Sequence, residues 1–149
     1  MALKYQSILV AIDGSKEAEW AFKKGIEMAK RNNSSLLLTH VIDTRTFAMV
    51  EAYDRSIAEK ADNLATELLQ EYQKIALEAG VKKVEYVIDF GSPKIIIPKE
   101  IAKKHKIDLI ICGATGMNAV ERFLIGSVSE NITRHAPCDV LVVRTGKDS

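Results

Sequence analysis

Short apolar runs rich in β-branched residues recur along the chain at Ile8–Ile12, Leu36–Ile42, Val84–Ile88 and Leu109–Cys112, and a fifth, Asp139–Arg144, lies near the end. Runs with no polar alternation predict strands covered on both faces, the pattern of a parallel sheet. Helical patterns fall between them. Ala18, Ala21, Phe22, Gly25, Ile26 and Ala29 form one stripe that stops near Asn32 and Asn33. A longer stripe runs through Ile57, Ala61, Leu64, Leu68, Tyr72, Ile75 and Ala79, with Gly80 placed to end it. Ser92-Pro93 predicts the start of a third helix, and Ser127-Val128-Ser129-Glu130 reads as a capping box opening a fourth. Pro98 falls inside the third helix and predicts a kink or an early end.

Strands and helices therefore alternate as βαβαβαβαβ. That order predicts an α/β domain with right-handed crossovers and helices on both faces of the sheet. The longest irregular stretch, about Asp43 to Tyr53, carries Phe47, Met49, Val50 and Tyr53. A loop so long and apolar fits a lid, and it fits equally an ordered loop packed on the core.

Composition narrows the function classes. At 149 residues, the length suits one domain over 1–149, large enough to be stable without disulfides. The 21 basic and 20 acidic residues leave a net charge of +1. No overall field draws the chain to nucleic acid or to anionic membrane, so any phosphate specificity must be local. Cys112 and Cys138 form no CxxC pair or Cys/His cluster, which argues against structural zinc. They should sit toward opposite ends of neighbouring strands, too far apart for a disulfide. The opening segment lacks the pattern of a secretory signal, and no apolar stretch has the length of a membrane span. A cytoplasmic protein is expected.

The sharpest chemical feature follows the fourth strand, in GATGMNAVERFLIGSVSEN from Gly113 to Asn131. Glycines at 113 and 116 let a backbone leave a strand and pass close to a ligand with no Cβ in the way. Gly126-Ser127 then opens a helix whose first amides are unpaired and carry the positive end of the dipole. A strand exit facing such a helix start makes a site suited to phosphate. It is neither a lysine-bearing P-loop nor a dinucleotide GxGxxG after a first strand.

In these residues the chain resembles the universal stress protein family. Gly113, Gly116, Gly126 and Ser127 match G-x2-G-x9-G-[ST], the nucleotide-binding signature of the family's ATP-binding branch. The resemblance extends to the opening ILVAIDGS with Asp13, to THVID at Thr39–Asp43, to GSP at Gly91–Pro93 and to HAPCDVLVVR at His135–Arg144. It implies a Rossmann-like sheet ordered 3-2-1-4-5, of the adenine nucleotide alpha hydrolase type, a homodimer paired through the last strand Asp139–Arg144, and a role in the stress response. It implies binding of ATP, ADP or AMP, with Mg²⁺ or Mn²⁺ bridging the phosphates. Carried over by position, Asp13 meets the ribose and base side, flanked by Ala11 and Ile12, and the Val41 backbone reaches the adenine edge. Cys112, Gly113, Thr115 and Gly116 line the ribose and phosphate side, and Gly126, Ser127, Val128 and Ser129 meet the phosphates. A sheet of this order also reverses direction between strands one and four, where ligands bind in open α/β sheets.

Each of these positions has a structural alternative. The alternative for the glycines is a plain tight turn, for Ser127 a helix cap, for Asp13 the turn at Gly14, and for Arg122 plain solvent in place of a phosphate. His40 and His135 read as structural rather than catalytic. The predicted site has no lysine in its glycine loop and no evident general base, which predicts binding with at most slow hydrolysis and occupancy acting as the signal. An adenylyl-transferring or pyrophosphatase enzyme would require motifs absent from the sequence. A dimeric interaction module with a purely structural glycine loop stays open. The downstream partner is not written in the sequence.

Overall fold

The computed structural model describes residues 4–44, 55–115 and 125–144. Phe47, Met49, Val50 and Tyr53 of the lid candidate lie outside these, as do Gly116 and Arg122. Five strands, β1 (Ser7–Ala11), β2 (Ser35–Asp43), β3 (Val84–Gly91), β4 (Leu109–Gly113) and β5 (Asp139–Val143), form one parallel sheet in the order β3-β2-β1-β4-β5. Every predicted strand is present, with no end moved by more than three residues.

The sheet sorts its side chains by strict alternation. Ile8, Val10 and Ile12 with Leu36, Leu38, Leu109 and Ile111 face helices α1 (Lys16–Asn32) and α2 (Arg55–Glu78). Leu9, Leu37, Val41, Ile110 and Cys112 face the opposite layer. That layer is built from α3 (Pro93–Ile96), a π-helical turn (Ile97–Ile101), α4 (Ala102–Lys104) and α5 (Ser127–His135). Burial on both faces explains why the strands read as unbroken apolar runs.

Local chemistry sets the helix ends. Ser15 Oγ accepts the Ala18 N–H at 3.1 Å to cap α1, and Asn33, at φ 56°, closes it while Ser34 N–H bonds Ala29 O. Gly80, at φ 110°, ends α2 as expected, with Val81 N–H on Ala76 O. Pro98 does not end its helix. The chain continues through a π turn in which the Ala102 N–H reaches Ile97 O, five residues back. Widening one turn accommodates a residue that has no N–H and whose ring crowds the preceding turn.

The predicted stripe of α2 needs rotating. Ala65, Leu69 and Ala76 are buried, Leu68 and Tyr72 partly so, whereas Leu64 is 67% exposed and Ile75 44%. Apolar residues are dense enough here to draw two overlapping stripes, and the one richer in alanine wins contact with the sheet. Tyr72 also meets Phe22 of α1, ring centroids 4.5 Å apart.

On α1, Gly25 permits close approach to the sheet, because a Cβ there would stand 2.7 Å from Val10 Cγ2. Gly25→Ala should therefore destabilise the fold by about 1–3 kcal/mol despite alanine's better helix propensity. Urea denaturation of Gly25→Ala, alone and with Val10→Ala, checks this: the second change should recover part of the loss, and simple additivity would refute the clash.

Both cysteines are free thiols, and Cys112 pairs in register with Val142, four residues along β5 from Cys138. Burial, with a smaller push from Asp13, raises the Cys112 thiol to about 12 from an ordinary 9.0. The unfolded thiol thus ionises first, so the stabilising effect of the neutral group is complete below pH 9 and fades as pH climbs toward 12. Stability should fall between about pH 8 and about pH 10.5, and Cys112→Ala should fall less steeply over that interval. Urea midpoints at the two pH values give the comparison, and identical slopes would count against this origin.

Candidate functional site

The β1 exit is tied down by β2. Ile12 N–H donates to Thr39 O at 2.8 Å, and the Ile12 carbonyl accepts from His40 Nδ1 at 2.7 Å. A carbonyl only accepts, so Nδ1 carries the proton and His40 is positional, as expected. Because Thr39 points its main chain at β1, Val41, two residues on, points its own the same way. The β1–β2 register ends at Ala11 and Thr39, so the Val41 main chain faces the crevice beyond it.

Asp13 lies exposed at the next step, with Oδ1 accepting the Ser15 N–H at 2.9 Å around Gly14, whose φ is 85°. This is an Asx turn, the local role weighed for Asp13. It also presents the carboxylate at the mouth of the crevice, where its charge acts on Cys112 at the end of β4. Ala11, Ile12, Asp13 and Val41 are thus brought to one end of the sheet, beside Cys112 and Gly113.

Across the crevice, the two glycine turns converge. Gly126 N–H donates to Ala114 O at 2.7 Å, and Ser129 Oγ donates to the same carbonyl at 2.7 Å. Ser129 is 3% exposed and also reaches Gly126 O at 3.0 Å, so its hydroxyl joins the two turns. The Ala114 N–H in turn bonds Val143 O of β5 at 2.9 Å.

The expected capping box does not form. Gly126, not Ser127, is the N-cap, and no side chain caps α5. Glu130 instead pairs with Arg134 at 2.9 Å on the exposed face. The first helical bond runs from Glu130 N–H to Gly126 O, which leaves the amides of Ser127, Val128 and Ser129 ahead of the ladder. Ser127 is exposed and Val128 half-buried in the core below.

Gly113 and Thr115 show a partner that sequence reasoning missed. A Cβ on Gly113 would come within 2.8 Å of Glu17 Cβ and 3.0 Å of the Glu17 carbonyl carbon, so the glycine admits the start of α1. Glu17 Oε1 then accepts the Thr115 N–H at 2.7 Å and the Thr115 hydroxyl. No periodicity signals a contact across 98 positions. Gly116 lies outside the described residues. Among the described residues, no group of three or more His, Cys, Asp or Glu is placed to hold a metal ion, and no helix is long and apolar enough to cross a membrane.

This arrangement of strands and turns has relatives. Residues 4–144 match the family model described as the universal stress protein family. The chain is 56% identical over 143 residues to a universal stress protein of Staphylococcus haemolyticus, covering 96% of this chain and 87% of that protein. The structure of the universal stress protein UspA from Lactobacillus plantarum superposes with a TM-score of 0.85 at 32% identity, over 96% of this chain and all, 100%, of that one. A universal stress protein solved in complex with cAMP superposes at 0.71 with 25% identity, covering 97% and 100% of the two chains. Sequence, strand order and superposition agree: the chain belongs to the universal stress protein family.

Proposed function

We propose that this chain binds an adenine nucleotide, ATP, ADP or AMP, in the crevice between β1 and β4, and that occupancy acts as a signal in a cytoplasmic stress response. The single observation that carries the reading is the 2.7 Å bond from Gly126 N–H to Ala114 O. It sets an uncapped helix start against a strand exit, and amides at a helix start attract phosphate. The Val41 main chain, facing the crevice from the other side, suits the edge of an adenine ring. The cAMP complex of a family relative supports the same ligand class.

Within this reading, Ala11, Ile12, Asp13 and Val41 hold base and ribose, Cys112, Gly113, Thr115 and Gly116 wall the ribose and phosphate side, and Ser127, Val128 and Ser129 offer amides to the phosphates from a turn set by Gly126. Mg²⁺ or Mn²⁺ would take its ligands from phosphate oxygens and water, which suits a chain with no acidic cluster among its described residues. Asp13 is engaged with Ser15 and Glu17 with Thr115, so neither stands ready as a general base. That supports binding with at most slow hydrolysis.

Calorimetry on the purified chain with ATP and AMP, each with Mg²⁺, tests the proposal. Paired substitution of Gly116→Val and Ser127→Ala should weaken binding at least about tenfold, the scale of a lost charge-assisted bond, with an unchanged unfolding curve. A parent chain that takes up no nucleotide would favour the interaction module with a structural loop.

We also propose a homodimer through β5, the sheet's edge strand. Val143 turns its carbonyl to Ala114, so Val142 and Val140 turn theirs outward, where a second copy can pair. Val142→Pro removes one outward N–H and leaves the β4 ladder intact. Light scattering should give twice the chain mass for the parent and the single mass for this variant. A parent that runs as a monomer would end the proposal.

A further inference from the structure

We propose that Glu17 is the positioning residue of the crevice: its carboxylate grips Thr115 and thereby holds the exit of β4 against the first turn of α1. The purpose assigned to the grip rests on the nucleotide reading above; the grip itself does not.

Three successive residues stand at the end of β4, the outer two held by Glu17 of α1 and the middle one by β5 and α5. Gly113 is pressed against the first turn of α1, with the Glu17 backbone where a side chain would stand. Ala114 is fixed by Val143 on its N–H and by Gly126 and Ser129 on its carbonyl. Thr115, the last described residue before the loop, has both its donors on Glu17 Oε1. Charge-assisted bonds of this kind are stronger than neutral ones. Glu17 also sits in the first turn of α1, where the helix dipole favours a carboxylate and where Ser15 Oγ fixes the turn from below. The anchor is therefore itself anchored.

The grip assigns Thr115 a role different from phosphate contact. Its N–H and hydroxyl are engaged, so incoming phosphate meets the α5 amides, and Thr115 braces the β4 exit against α1. The opposite arrangement, in which phosphate displaces Glu17 from Thr115, would put an ejected carboxylate beside the arriving anion in one corner. Like charges at that range repel, which weighs against displacement.

The experiment uses the full chain with Glu17→Ala and Glu17→Gln. Amide hydrogen exchange followed by NMR reports the grip, and calorimetry with AMP and Mg²⁺ reports its purpose. Glu17→Ala should speed exchange at Thr115 at least about tenfold, leave Ile132 in α5 protected as a reporter of the fold, and weaken AMP binding by about tenfold. Glu17→Gln keeps an acceptor oxygen and should recover part of both effects. Thr115→Val, which removes the hydroxyl donor, should cost less in the Glu17→Ala background than alone. Unchanged exchange at Thr115 would show that the grip is not there in solution. Faster exchange with equal AMP affinity would overturn the positioning role, and tighter binding would recast Glu17 as a competitor for the site. A parent chain that binds no AMP or ATP removes the nucleotide reading and this role together, whereas an insensitive Glu17→Ala in a parent that binds removes this role alone.

Discussion

The carbonyl of Ala114 is the point on which the site depends. A strand that stops in a sheet's interior leaves main-chain groups with no next strand to pair, and buried groups of that kind must find partners. Here one oxygen collects the Gly126 amide and the Ser129 hydroxyl, each at 2.7 Å, and the neighbouring N–H collects Val143 O at 2.9 Å. Satisfying the residue that follows β4 thus fixes where α5 begins and how β5 ends. The same step places three helix-start amides at the crevice, because the N-cap is a glycine with no side chain to fold back over them. On the proposed reading, the anion site follows from how the strand exit is satisfied.

Charge distribution around that point is uneven. Asp13 and Glu17 flank the β1 and β4 exits, each bound to a main-chain N–H, at 2.9 and 2.7 Å respectively. Carboxylates engaged in this way serve as turn-builders, and Asp13 adds a smaller push to the Cys112 thiol that burial raises. Glu130 is drawn away by Arg134 on the outer face of α5. On the proposed reading, attraction for an anion therefore comes from main-chain dipoles, which favours a ligand presenting oxygens at a defined place over any diffuse negative charge.

The sequence made the fold readable because both faces of the sheet are buried. Unbroken apolar runs marked all five strands, and Asn33, Gly80 and Ser92-Pro93 marked helix ends that lie where expected. What went astray was decided by contacts across long separations. The capping box failed since Gly126 is claimed by Ala114, twelve residues earlier, and Glu130 by Arg134. The α2 stripe was misphased since alanines beside the leucines fit closer to the sheet. The glycine spacing and the DGS turn singled out residues that the fold gathers at one end of the sheet. Glu17 was invisible, since nothing local distinguishes that glutamate from Glu19, which pairs with Lys23 on the surface at 3.8 Å. Gly113 was legible as a glycine that mattered, but the object it makes room for is α1.

The strand that completes the site is also the strand at the sheet's edge. Along β5 the main-chain groups alternate, so those of Val143 serve Ala114 while those of Val142 face away from β4. On the proposed reading, the residue that braces the turn at Ala114 and the residue that pairs with a second copy are therefore adjacent on the same short segment, Asp139–Val143. A ligand that tightened the turn at Ala114 would stiffen Val143, and a stiffer β5 loses less freedom on pairing with a second copy. Coupling of that sort needs no displaced domain and no remote relay, only a segment too short for one edge to be ordered without the other.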